Sequence, residues 1–78
     1  MGEMNRDRRN AIKKLIDQIG EIQSELDILI GEEQTSLDSI PESFETRRES
    51  IQDIIESLDG ASNSLSECND YLTEGIEK

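Results

Sequence analysis

The sequence predicts an all-α protein, an antiparallel two-helix hairpin of the coiled-coil type. Apolar residues recur at alternating steps of three and four in two stretches, which is the spacing of heptad seams. The only proline, Pro41, lies between the two stretches. The a and d positions of the first stretch are Ile12, Leu15, Ile19, Ile22, Leu26 and Leu29, and those of the second are Ile51, Ile54, Leu58, Ala61, Leu65, Cys68 and Leu72.

Folding the chain back at Pro41 sets the two seams side by side. Ile12 then lies opposite Leu72, and Ile22 lies opposite Ala61. We expect one domain over residues 1–78, with helix one at about 6–40, a turn at about 40–45 and helix two at about 45–75.

The first helix is expected to begin between Asn5 and Asn10. It continues past Gly31, because a glycine inside a helix costs only on the order of 1 kcal/mol relative to alanine. Pro41 ends it, since proline lacks an N–H and disfavours helical geometry in the residue before it.

The second helix has two candidate capping boxes, which begin at Ser39 and at Thr46. Residues 59–64 are poor helix formers apart from Ala61. The heptad phase nevertheless passes through Ala61 unshifted, so one continuous helix is expected.

Each helix carries a further apolar column at heptad position e. A stripe of a, d and e positions is wider than one helix pair covers. A small core without disulfides or metals needs such extra burial. We therefore expect a homodimer packed as a four-helix bundle. The residues assigned to self-association are Ile16, Ile30 and Ile55 of the e columns and Ile28, which lies outside the stripe at position c.

The composition argues against catalysis, cofactors and metals. The chain has no histidine, one cysteine and no glycine-rich phosphate loop, so it lacks the usual general base and zinc ligands. We expect no enzyme activity, no cofactor and no metal site. Cys68 is expected to be a buried structural thiol on the seam.

Charge is the most informative surface feature. Five of the eight basic residues lie within Arg6–Lys14, whereas the formal net charge of the chain is −11. The basic start is expected to lie beside the acidic end of helix two. Carboxylates on helix two form an acidic ridge opposite the seam, a surface that competes for the basic groove of another protein. The acidic ridge comprises Glu49, Asp53, Glu56, Glu67, Asp70, Glu74 and Glu77.

Two other classes of partner are not expected. Direct nucleic-acid binding is disfavoured by the net charge and by Asp7 within the basic start. No run of 18 apolar residues exists, and Met1 to Asn10 lacks the apolar core of a signal peptide. We therefore expect a cytoplasmic protein without a membrane partner. The alternative to a role of the acidic ridge in binding is that its charge serves only solubility.

The turn carries a short motif. An acidic Glu-Glu-Gln segment at 32–34 precedes Asp38, and Pro41-Glu42-Ser43 follows in a D-x-x-P-E-S pattern. Over roughly residues 12–76 the chain resembles small acidic helical-hairpin proteins of bacteria and their phages, which have no assigned function. It departs from them at residues 60–64, where such helices carry alanine and glutamate.

The resemblance implies a helical hairpin and a phage origin. From it and the charge we expect a non-enzymatic protein-interaction module. Its sharper form is a phage-encoded inhibitor of a host nucleic-acid-binding or defence protein, acting in the host cytoplasm through the acidic surface. The alternative is a structural or assembly module that binds a partner helix through apolar columns.

Overall fold

A computed structural model describes residues 5–78, which form two long helices joined by a short turn. Helix α1 spans Arg6–Ser39 and helix α2 spans Glu45–Glu77. No strand occurs within the described residues. The prediction of an all-α, two-helix chain is confirmed. The helices pack against each other as a thin rod with extents of 63 × 16 × 11 Å.

Local chemistry explains the two ends of α1. Asn5 caps its start, because the Asn5 Oδ1 atom accepts a hydrogen bond of 2.9 Å from the backbone N–H of Arg8. The helix ends at Ser39, since Ile40 has extended backbone angles (φ −89°, ψ 129°) immediately before Pro41. Pro41 therefore ends the helix as predicted.

Neither predicted capping box begins α2. Phe44 occupies the N-cap position, and no side chain caps this helix. The Ser39 hydroxyl instead donates to the carbonyl of Thr35 inside α1. Thr46 lies one residue after the start of α2. Both proposed caps are therefore wrong, and the turn is held by other contacts.

The second helix is continuous through residues 59–64, as the unbroken heptad phase predicts. Gly60 sits in this segment, and a methyl group added there would meet no atom within 4 Å. The poor helix formers therefore cause no break in α2.

The contact between the helices uses a different pair of columns from the predicted one. Residues at positions a and e face the other helix, and Ile19 is the one buried residue of the described chain, with 8% of its surface exposed. We call this contact the hairpin seam. Its apolar members are Ile12, Ile16, Ile19, Leu26, Ile30, Leu37 and Ile40 on α1, and Ile51, Ile55, Leu58, Leu65, Leu72 and Ile76 on α2.

Side-chain size explains why the e columns close the hairpin. In α2 both columns have small or polar residues in the middle, but the d column ends in Gly75 whereas the e column ends in Ile76. In α1 the d column reaches Ser36 near the turn, where the e column has Leu37. Larger apolar side chains bury more area, so the a and e columns give the longer seam.

One hydrogen bond joins side chains of the two helices midway along the seam. The Gln23 Nε2 atom donates it to the Ser66 hydroxyl, at 2.9 Å. The predicted pairing placed Ile22 opposite Ala61, and the long Gln23 side chain leans along α1 toward the level of Ser66. The bond therefore defines which sides of the helices face each other.

Arg48 ties the turn to the end of α1. Its Nη1 atom donates to the carbonyl oxygens of Leu37, at 3.0 Å, and Ile40, at 2.8 Å. These carbonyls lie where α1 leaves its last carbonyl groups without helical partners. A cation placed there also complements the helix dipole.

Candidate interaction surfaces

Six uncharged residues remain exposed along one side of the hairpin, and we call them the apolar strip. The four large members keep 45–48% of their surface exposed. Ala61 and Cys68 are exposed as well. The strip consists of Leu15, Ile22 and Leu29 on α1, and Ile54, Ala61 and Cys68 on α2.

The two halves of the apolar strip lie on the same face. In both helices they occupy the d column, at the same angular offset from the seam. Columns of equal offset share one side of an antiparallel pair, because the two helices run in opposite senses. The groove near the turn agrees, since the d-column residues Ser36 and Arg47 line it together with Ile40 and Ile51.

The residues of the strip alternate between the helices along the rod. In the observed register their order is Leu15, Cys68, Ile22, Ala61, Leu29 and Ile54. At 1.5 Å per residue the strip is about 30 Å long. The strip is therefore a row of apolar residues along one face of the hairpin.

The side of α2 that carries the strip is free of charge between residues 50 and 75. Its neighbouring g column contributes small or neutral residues, of which Tyr71 is 74% exposed. Between residues 50 and 75 the d and g columns contain no acid and no base, although the chain has 19 acidic residues. The g-column residues are Ser50, Ser57, Ser64 and Tyr71.

The acidic ridge lies on the side of α2 opposite the hairpin seam. All seven of its members are exposed, and only Gly60 and Asn63 interrupt them. Within residues 5–78 the one ion pair joins Glu74 to Lys78, at 3.7 Å. The predicted pairing of the basic start with this acidic end is absent from that range. The ridge carboxylates are therefore almost entirely available to solvent or to a partner.

Three of the four residues assigned to self-association are placed elsewhere. Ile16, Ile30 and Ile55 are half-buried in the hairpin seam. The reason for their assignment, that an isolated hairpin has no place for them, is therefore wrong. Ile28 is 62% exposed, on the side of α1 away from α2 and beside Glu25. The apolar surface left open is instead the strip.

Cys68 is also placed differently from its prediction. It lies on the exposed strip, and its thiol is free. The prediction of a seam-buried cysteine followed from the a and d columns, so it fails together with them. Its position makes it a reporter of anything that covers the strip.

Two further findings concern residues 5–78. No group of three or more Cys, Asp or Glu side chains there is arranged to hold a metal ion. Neither helix has a stretch apolar enough, at sufficient length, to span a bilayer.

Comparison with known proteins gives no relative. No protein-family model, no curated protein and no solved structure matches the chain. The resemblance to small acidic phage proteins thus stays a prediction from the turn motif. Any function has to be argued from the surfaces of the hairpin.

Proposed function

We propose that the chain is a non-enzymatic protein-interaction module that works as a homodimer, packed as a four-helix bundle. The observation that carries this proposal is the separation of chemistry on α2. One side of this helix is uncharged from residue 50 to residue 75, and the side opposite the hairpin seam carries the acidic ridge. A helix whose charge served only solubility would need no such separation.

The thin core supports the dimer. Ile19 is the one buried residue among those described, so the hairpin seam alone encloses little apolar volume. Small scaffolds with so little core usually gain stability from a disulfide, a metal or a second chain. With a single cysteine, an intramolecular disulfide is impossible.

Light scattering on a sizing column tests the oligomeric state. We expect a mass near twice 8.8 kDa at tens of micromolar, falling toward that of the single chain on dilution. A mass of 8.8 kDa at every concentration, with a cooperative thermal transition, would contradict the proposed dimer.

The acidic ridge supports a basic protein as the second partner. Carboxylates one helical turn apart are about 5–6 Å from each other, similar to neighbouring phosphates of a nucleic acid. The ridge therefore presents carboxylates at a spacing that the basic groove of a nucleic-acid-binding protein already accommodates. In this form the module inhibits a host nucleic-acid-binding or defence protein.

Charge removal tests the ridge. Replacing Glu67, Asp70, Glu74 and Glu77, with Gln for Glu and Asn for Asp, removes four charges at nearly constant size. The matched control removes four charges from α1, at Asp17, Glu21, Asp27 and Asp38. Both variants and the parent chain are used as baits in host extract at low and high salt.

We expect the parent and the control to retain a basic protein that the ridge variant loses, by tenfold or more, and that salt releases. Equal retention by all three baits would contradict a role for the ridge.

A structural module is the second candidate, and the apolar strip favours it. In this form the strip assembles copies of the chain or docks a partner helix, and the acids only solubilise it. Binding of this kind changes little with ionic strength. Loss of binding in a strip variant, with retention in the ridge variant, would decide for it.

A further inference from the structure

We infer that the apolar strip is covered by a second copy of this chain, related by a two-fold axis along the rod so that both turns lie at the same end. This inference rests on the proposed homodimer and names its contact surface and its arrangement. The apolar strip takes the place of the e columns, which contain Ile16, Ile30 and Ile55, as the contact surface between two copies.

The exposed area leaves room for a contact of standard size. The hairpin exposes 6103 Å². A compact monomer of 8.8 kDa exposes about 4,800 Å² by the usual scaling with mass, which leaves an excess of about 1,300 Å². A standard stable interface buries about 800 Å² on each partner, so one contact along the strip is of the right order.

Charge favours a second copy over another occupant. Each chain has a net charge of −11, so two copies repel unless their acids point apart. The strip and the adjoining g column of α2 bring no acid into the contact, and the acidic ridge begins beyond Tyr71 of that column. On α1 the adjoining g column carries two acids, Glu25 and Glu32, at the edge of the strip. A basic partner would find seven acids on the ridge and only these two beside the strip.

The two halves of the strip are complementary in size. Leu15, Ile22 and Leu29 form a column of large side chains on α1. Ala61 and Cys68 lie in a column of smaller side chains on α2, flanked by serines. Large side chains of one helix fit the spaces left by small ones on another, as in knobs-into-holes packing.

Size also selects the arrangement. With both turns at one end, α1 of each copy packs on α2 of the other, so the two contacts are identical and equally wide. In each of them Leu15 and Ile22 lie level with the smaller Cys68 and Ala61, and Leu29 lies level with Ile54. With the turns at opposite ends, α1 packs on α1 and α2 on α2. One contact would then be wide and the other narrow, because helix separation follows the side chains between the helices.

The first test compares two isoleucines on the same helix. Ile22→Glu places a charge on the strip, whereas Ile28→Glu makes the identical change on the side of α1 away from α2. Sedimentation equilibrium over nanomolar to millimolar concentration measures the dimer dissociation constant. We expect Ile22→Glu to weaken dimerisation at least a hundredfold and Ile28→Glu to change it less than threefold.

The outcomes separate the two proposals. A parent chain that stays monomeric throughout overturns the proposed homodimer and this inference with it. A parent dimer that Ile22→Glu leaves intact overturns the strip alone. Equal loss of the dimer in Ile22→Glu and Ile28→Glu would also overturn the strip as the contact surface.

The second test does not depend on a disruptive variant. Ser43 lies in the turn, so Ser43→Cys in a Cys68→Ser background carries one spin label at that end of the rod. Pulsed dipolar spectroscopy then measures the distance between the labels of two copies. We expect a distance below about 30 Å for turns at the same end.

The opposite arrangement gives a distance above about 50 Å, because the turns would be separated by most of the 63 Å rod. Such a distance would overturn the inferred arrangement. Should Ile22→Glu unfold at every concentration, the label distance in the folded protein still decides.

Discussion

Two adjacent apolar columns of α1 behave differently in the hairpin. Ile16 and Ile30 are half-buried against α2, while Ile22 and Leu29 keep 45% and 47% of their surface exposed. The two columns are alike in composition. Their difference comes from α2, whose e column ends in the large apolar Ile76 where its d column ends in Gly75. A column on one helix is thus buried or left open by what its partner helix offers.

The largest expected effect separates seam from strip. Leu26 is half-buried in the hairpin seam, so Leu26→Asp places a charge in the contact and should cost roughly 3 kcal/mol or more, enough to unfold the chain. Ile22→Asp, on the strip, should leave the hairpin helical. Circular dichroism with thermal melting measures both variants. Equal loss of helix in the two would mean that the columns are not distinct.

The turn offers a matched pair of neighbouring arginines. Arg48 donates to the carbonyls of Leu37 and Ile40, whereas Arg47 lies in the exposed d column. Arg48→Ala should therefore lower the free energy of unfolding by about 1–3 kcal/mol, because two charge-assisted hydrogen bonds are lost. Arg47→Ala should lower it by less than about 0.5 kcal/mol. Urea denaturation measures the free energy of unfolding of both variants. Equal losses would mean that Arg48 does not stabilise the turn.

A polar residue on the hairpin seam gives a smaller effect of opposite sign. The Asn69 Oδ1 atom is buried and has no hydrogen-bond partner among residues 5–78. Asn69→Leu should raise the free energy of unfolding by about 1 kcal/mol, since an unsatisfied polar group is replaced by an apolar one. Cys68→Ala, one residue earlier on the strip, is the control and should leave the monomer nearly unchanged.

The same asparagine has a second consequence. A polar residue inside a coiled-coil contact fixes register at a cost in stability. The Asn69→Leu variant should therefore show extra amide resonances by NMR from slipped pairings. A single set of resonances would mean that Asn69 does not set the register.

The smallest effect concerns glycines that lie in neither contact. A methyl group added at Gly31 or at Gly60 would meet no atom within 4 Å. Each glycine-to-alanine change should therefore stabilise the hairpin by about 0.5–1 kcal/mol through helix propensity alone. The two effects should add in thermal melts. Destabilisation by either change would place a contact where the hairpin has open space.

The sequence was sufficient for the two helices and the turn between them. Heptad spacing and Pro41 act locally, and the structure follows both. The choice of seam was not predictable in the same way, because the a, d and e columns of α1 are each mostly apolar. The decision depends on distant partners, such as Leu37 near the turn and Ile76 near the end of α2, whose burial is known only once the register is known.

The candidate surfaces were predicted unequally for the same reason. Acids at heptad positions opposite the seam are exposed on any amphipathic helix. The acidic ridge therefore follows from heptad positions alone. The apolar strip is the column that the hairpin seam leaves uncovered. A prediction that places the d columns in the seam therefore leaves the e columns exposed, which is the reverse of the structure. The uncharged g column, with Ser57 and Ser64 beside the strip, was the available signal that α2 has a side kept free of charge.

Cys68 provides the most direct measurement of whether a second copy covers the apolar strip. Its thiol is exposed in the single hairpin, so a maleimide or disulfide reagent should label it rapidly in dilute solution. We expect the labelling rate of the parent chain to fall at least tenfold as concentration rises through the dimer dissociation constant. The rate in Ile22→Glu should not change with concentration. A parent chain that is dimeric by light scattering yet labels equally fast at every concentration would contradict coverage of the strip.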